Sequence, residues 1–273
     1  MKNFLTKPII ITIAALLVVG SVVGIYRIGT PTAIAANSYD NSAAYNAGQF
    51  GSPWSLSYVT GSCANRLMIA TLIDQQTLAT DIVSVKYAGV SLTLATSTPT
   101  TFGYNQGDYY LIAPSTGTNN LVITTNSGSS FFYGHFYVAT YCGVSQTGFP
   151  DAVQTFAHSP MSGTTLTESL TTVASNSWIF ISIADASGGL PGAGTGSTLR
   201  QHAVPANGGD TLGGILDTNG PVSPGSNSMT TSGYSNDYMS DIMISFAPAG
   251  GGGGTTPAPA FIQFDFIDTK HVV

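Results

Sequence analysis

From Trp54 onward the apolar positions fall in short runs that alternate with hydroxyl and amide residues, and nowhere do they take the three- and four-residue spacing of a helix. Each run is bounded by Gly, Pro, Asn or Ser. The pattern predicts strands over 67–73, 82–87, 90–94, 109–112, 121–125, 152–157, 166–173, 178–184, 199–204, 228–232 and 242–246. Ala88-Gly89 reads as a hairpin turn between two of them. The stretch that organises the rest is 131–152, FFYGHFYVATYCGVSQTGFPDA, a central strand whose exit is marked by Gly143, Gly148 and Pro150. Taking every second residue puts Phe132, Phe136 and Val138 on one face and Phe131, Tyr133, Tyr137 and Tyr141 on the other. Both faces then require cover, which places this strand inside a sheet. About a dozen strands with turns every eight to twelve residues predict an all-β fold, a two-sheet sandwich of jelly-roll or immunoglobulin-like kind over 54–248.

The flanks read differently. Lys2 and Lys7 precede an uncharged apolar run over 8–26 that is long enough to cross a bilayer as a helix, and Ala33-Ile34-Ala35 offers the small residues a signal peptidase reads. Residues 1–36 are therefore a signal peptide or a signal anchor, two readings the sequence leaves open; either delivers the rest to the cell surface or the exterior. Residues 37–53 read as a spacer and 249–260 as a Gly/Pro linker. In the tail at 261–273, Ile262, Phe264 and Phe266 alternate with polar residues, a strand pattern too short to fold alone. Such a flexible tail either adds to the edge of a neighbour's sheet, giving self-association, or stays disordered.

Composition narrows the class of partner. Only 7% of the 273 residues are charged, against roughly 25% in an ordinary soluble domain. Solubility must come from hydroxyls and amides, while a hydrophobic content of 43% excludes a disordered chain. Setting aside Lys2, Lys7 and Arg27 leaves four basic residues against thirteen acidic ones. Arg66, Lys86, Arg200 and Lys270 stand singly, so nucleic acid is excluded as a partner. An oxidising exterior permits Cys63 and Cys142 to pair across a loop of about 80 residues, or leaves two free thiols.

No stretch carries a specific catalytic signature. Glycoside hydrolysis needs two facing carboxylates, and the best placed are Asp151 and Asp185; Glu168, the single Glu, sits in a Thr-rich run where an exposed strand position is expected. The run 143–148 misses a G-x-S-x-G elbow by one residue. Gly192, Gly194 and Gly196 lie in a glycine-rich stretch, 187–197, that reads as a surface loop rather than a phosphate cradle. His135, His158 and His202 are too far apart to show metal-ligand spacing. Asp217, Asn219, Asp237 and Asp241 are weak calcium candidates among turn-forming residues; otherwise no metal, cofactor or catalytic group is expected.

Several runs together resemble a module that recurs in exported bacterial surface proteins and phage-associated proteins: SVKYAGVSLT from Ser84, YYLIAPSTGTNNLVI from Tyr109, GVSQTGFPDA from Gly143 and DTNGPVSPGS from Asp217. The resemblance covers nearly all of 54–248 and implies a β-sandwich used as a surface or appendage module, with no catalytic residues to carry over. Cys63 and Cys142 stand outside that pattern. The expectation is a non-enzymatic, exported adhesion or binding module for a surface ligand, a glycan or a protein. Its rivals are a self-associating subunit of a surface layer or filament and a carbohydrate-active enzyme.

Overall fold

The computed structural model describes residues 35–46, 52–74, 82–98, 105–126, 135–158, 163–185, 190–202, 212–234 and 238–250. The apolar run 8–26, Phe131 to Tyr133, Asp237 and the tail at 261–273 lie outside them. The described chain is all-β, and no helix within it is long and apolar enough to cross a membrane.

Nine strands form the first half: β1 (Ser38–Asn46), β2 (Trp54–Thr60), β3 (Leu67–Asp74), β4 (Ile82–Tyr87), β5 (Val90–Ser91), β6 (Thr93–Thr98), β7 (Asn105–Ile112), β8 (Gly117–Thr125) and β9 (His135–Cys142). Eight form the second: β10 (Ala152–His158), β11 (Thr165–Thr172), β12 (Trp178–Asp185), β13 (Gly192–Ala193), β14 (Thr198–His202), β15 (Leu212–Asp217), β16 (Gly225–Ser232) and β17 (Met239–Phe246). The sheets run β1-β9-β3-β7-β6 and β2-β8-β4-β5 in the first half, and β10-β17-β12-β15-β14 and β11-β16-β13 in the second. The wiring repeats. In each half the first strand pairs with the last and the last with the third, while the second pairs with the penultimate and the penultimate with the fourth. The chain thus holds two sandwiches of like topology, where the sequence led us to expect one sandwich of two sheets.

Side-chain alternation sets the layers. On β3, Met68, Ala70 and Leu72 face the sheet of β2, β4 and β8, whereas Leu67, Ile69 and Ile73 face the second sandwich. On β12, Ile179, Ile181 and Ile183 face β11 and β16, whereas Trp178, Phe180 and Ala184 face the first sandwich. Every residue of β9 and β12 is consequently buried, which is why these two runs read as apolar throughout instead of alternating. Two inner sheets pack on each other, and an outer sheet covers each. Across the shared layer β1 lies against β14 and β6 against β10, while β9 meets β15 and β7 meets β17. Exchanging equivalent strands maps these pairs onto one another, so the halves meet as the subunits of an isologous dimer do. Close approach requires Gly213 on β15: a Cβ there would stand 2.6 Å from Ile73 Cδ1 and 2.7 Å from the Ile183 carbonyl oxygen.

Other expectations need correction. The presumed spacer at 37–53 contains β1, an edge strand paired with β9 from Ser38↔Cys142 to Asn46↔His135. The strand expected at 90–94 is two strands in different sheets. The hairpin turns at Ala88 and Gly89, with φ of 50° and 83°, and after β5 the chain crosses at Leu92 to become β6. The glycine-rich stretch at 187–197 contributes β13, whose Gly192 and Ala193 pair with Ser232 and Thr231 of β16. Gly213 and Gly214 hid β15, since glycine weakens every strand signal.

Candidate functional site

The crossing at Leu92 leaves an opening between the two sheets of the first sandwich. An open cleft of about 380 Å³ lies there, with Ile82, Leu92, Leu94 and Tyr109 as apolar walls and Ser84, Ser91, Ser97 and Thr98 as neutral polar groups. Leu94 and the neighbouring Val83 stay 47% and 59% exposed, which marks the rim as apolar. Thr98 is buried, and its Oγ1 has no hydrogen-bond partner. Among the described residues, no carboxylate, imidazole, thiol or amine lines the cleft. The aromatic wall comes from the parity of β7, which turns Tyr109 toward the first core while Tyr110 packs with the second.

Buried acids occupy the layer between the sandwiches. Asp108 on β7 accepts hydrogen bonds from the Thr71 hydroxyl (2.6 Å) and from the Ser182 hydroxyl of the second sandwich (2.8 Å). Gln106 joins the same network, donating to Ser182 Oγ and accepting from Ser240 Oγ. Burial pushes the Asp108 carboxyl up to about 7, against the downward pull of the two hydroxyls. At the other side, Asp217 meets Arg200 in a bidentate pair (Nε to Oδ2 2.7 Å, Nη2 to Oδ1 2.9 Å) and accepts the Tyr141 hydroxyl at 3.0 Å. The guanidinium also lies 4.0 Å over the Tyr39 ring and donates to Asn219 Oδ1. Asp217 and Asn219 are therefore held by a cation that belongs to the chain itself. Asp241 lies on the opposite face of the same sheet, toward β11, so the calcium set suggested by the sequence is not brought together.

The two acids weighed for glycoside hydrolysis do not meet either. Asp151 Oδ2 accepts from the Val173 and Ala174 amides and from the Ser177 and Ser245 hydroxyls, binding β17 to the turn before β12. Its backbone pairs at Ser245 of β17, whereas Asp185 is opposite Met239. Six residues of strand separate these levels, roughly 20 Å, against the roughly 5–10 Å that a glycosidase pair needs.

A cluster that local spacing did not reveal lies in the second sandwich. His158 on β10, Glu168 on β11 and Asp241 on β17 converge: Nε2 of His158 is 2.9 Å from Asp241 Oδ1 and 3.3 Å from Glu168 Oε1. Glu168 faces inward, between the core residues Leu166 and Leu170, and not outward as expected. Its side chain is only 13% exposed, that of His158 21%, and that of Asp241 not at all. The bond to Asp241 holds His158 above the usual imidazole range, overcoming burial. Burial raises Asp241, with His158 opposing it, and burial with the neighbouring Asp241 charge pushes Glu168 up to about 6. His135 and His202 are elsewhere: His135 stacks on Tyr137, and His202 Nδ1 bonds the Pro191 carbonyl at 3.1 Å. Cys63 and Cys142 are joined as a disulfide with Cα atoms 5.8 Å apart. Nothing in the sequence around residues 158, 168 or 241 announces the cluster except the even spacing of Glu168 from Leu166 and Leu170.

The chain is thus an all-β protein of two stacked β-sandwiches. Compared with known protein families, with characterised proteins and with solved structures, it matched none.

Proposed function

We propose that this protein is a non-enzymatic, exported surface module that binds a neutral, hydroxyl-rich ligand, a glycan, in the cleft of its first sandwich. The observation that carries the reading is the make-up of that cleft, apolar walls with an aromatic face beside neutral hydroxyls and, among the described residues, no group able to act as acid, base or metal ligand. A sugar ring offers an apolar face to stack on Tyr109 and hydroxyls to pair with Ser84, Ser91 and Ser97. The strand order, in which first, last, third, seventh and sixth strands share one sheet and second, eighth, fourth and fifth the other, supports a jelly roll for the first sandwich. Export is supported by Lys2 and Lys7 before the apolar run at 8–26, and by the disulfide, which persists in an oxidising compartment. Of the two acids weighed for glycoside hydrolysis, Asp151 is taken up in structural contacts and Asp185 lies roughly 20 Å from it along the sheet, which favours binding over chemistry.

A glycan array probed with the full chain tests this. Retention of a defined set of glycans, weakened tenfold or more by Tyr109→Ala and abolished by Ser84→Trp, which fills the cleft, is the expected result. Retention that both variants leave unchanged, or no retained glycan at all, would refute it.

A further inference from the structure

We propose that His158, Glu168 and Asp241 form a binding site for one divalent transition-metal cation of the zinc type. One ligand atom from each, an imidazole nitrogen and two carboxylate oxygens, lies within 4.8 Å of the others. Three strands and both sheets of the second sandwich supply them, so the fold and not a local motif sets the geometry. Zinc bonds of roughly 2.0–2.1 Å in a tetrahedron place neighbouring ligand atoms about 3.3 Å apart. The His158–Glu168 separation is 3.3 Å and the His158–Asp241 separation 2.9 Å, so a slight opening of the second receives the ion.

A second observation points to a ligand. Asp241 has no exposed surface, one of its oxygens faces His158, and the other, Oδ2, has no hydrogen-bond partner. A fully buried carboxylate oxygen with no donor is costly. The charge is unbalanced as well: two carboxylates share one imidazole, so even the imidazolium leaves one negative charge over, and Glu168 pays that burial between two leucines. A divalent ion with a neutral imidazole leaves none. The small solvent exposure of His158 and Glu168 opens a route for the ion and a place for water as a fourth ligand. The imidazole nitrogen selects zinc and its first-row neighbours over calcium and magnesium, which take oxygen ligands. The bound ion would tie β10, β11 and β17 together and so stabilise the second sandwich.

The test is a calorimetric titration of the full chain with Zn²⁺ after removal of metal by chelator, alongside Glu168→Gln and His158→Gln. We expect one equivalent of zinc, micromolar or tighter, a raised melting temperature on binding, and affinity weakened at least a hundredfold in each variant. Glu168→Gln keeps the shape of the side chain; if His158→Gln fails to fold, the visible spectrum of Co²⁺ bound to the wild type and to Glu168→Gln gives a second readout of tetrahedral ligation. Absence of zinc binding to the wild type overturns the proposal, and so does binding of equal strength in Glu168→Gln, which would place the ion elsewhere. Glycan retention does not depend on this site, so either reading can fail alone.

Discussion

Asp108 and Asp217 show two solutions to one problem, a carboxylate in the dry layer between the sandwiches. Asp217 has a guanidinium, which satisfies both oxygens and cancels the charge. Asp108 has only hydroxyls, and burial therefore raises its folded pKa from 3.8 to about 7. Between those two values the folded protein keeps a proton that the unfolded chain releases, so this residue makes stability fall as pH rises through the window. That rise corresponds to a loss on the order of 4 kcal/mol above pH 7. Asp108→Asn, which stays neutral and keeps the shape, should remove that part of the slope. Urea midpoints measured at intervals from pH 4 to 8 for both proteins check it: the difference between them should grow with pH, and parallel curves would contradict the assignment. Glu168 and Asp241 titrate in both proteins alike, so they drop out of the difference.

At the scale of the element, β1 shows how a strand with a weak signal can be essential. Its sequence, SYDNSAAYN, reads as small and polar because much of what it buries is backbone. Asp40 Oδ2 accepts the Gly61 amide and the Thr140 hydroxyl, each at 2.8 Å, and Asn41 donates to the Val59 carbonyl. The Asn41 carbonyl in turn accepts the Tyr58 hydroxyl, and the Tyr45 hydroxyl donates to Ser57. The strand thereby joins the inner sheet of the first sandwich to its outer sheet. A chain beginning at Trp54 would lose these bonds, bare the edge of β9 and remove the partly buried rings of Tyr39 and Tyr45 from the cores they pack against. Two such rings and their polar partners are worth on the order of 4 kcal/mol. Residues 54–250 should accordingly unfold at lower urea than residues 35–250; equal midpoints would mean that β1 adds nothing.

For the whole molecule, the shared layer makes the two sandwiches one cooperative body. Leu67, Ile69, Tyr137 and Tyr141 of the first and Phe180, Ile215 and Phe246 of the second are fully buried only because the inner sheets cover each other. Residues 35–149 made alone would carry this face into water. Because the interface is isologous in form, the fragment has its own best substitute partner in a second copy. We expect the fragment to sediment as a dimer or to aggregate, and residues 35–250 to unfold in one transition. A stable monomer of 35–149, or two resolved transitions, would show that the halves fold independently. The disulfide belongs to this scale too: it closes a loop of 79 residues within the first sandwich, worth on the order of 4 kcal/mol in the chain-entropy description.

What the sequence by itself determined was local. Alternation and turn residues specify most of the longer strands, though not β1, β2 or β15, because side chains on a pleated strand declare their two faces in order, and the double-sided apolar runs that became β9 and β12 declare that both faces are covered. The tertiary structure alone decided which strands share a sheet, and with that the number of sandwiches, since the same alternation suits one deep sandwich or two that share a wall. It also decided the fate of every acid. Asp151, Asp217 and Asp241 look alike in sequence, yet four neutral donors meet the first, a guanidinium the second, and a histidine and a second carboxylate the third. Those partners come from other strands, and only the pairing of β10 with β17 and the packing of β11 across them bring His158, Glu168 and Asp241 within bonding distance. A side chain's chemistry is set by the atoms around it, and in a β-sandwich those atoms are seldom neighbours in the chain.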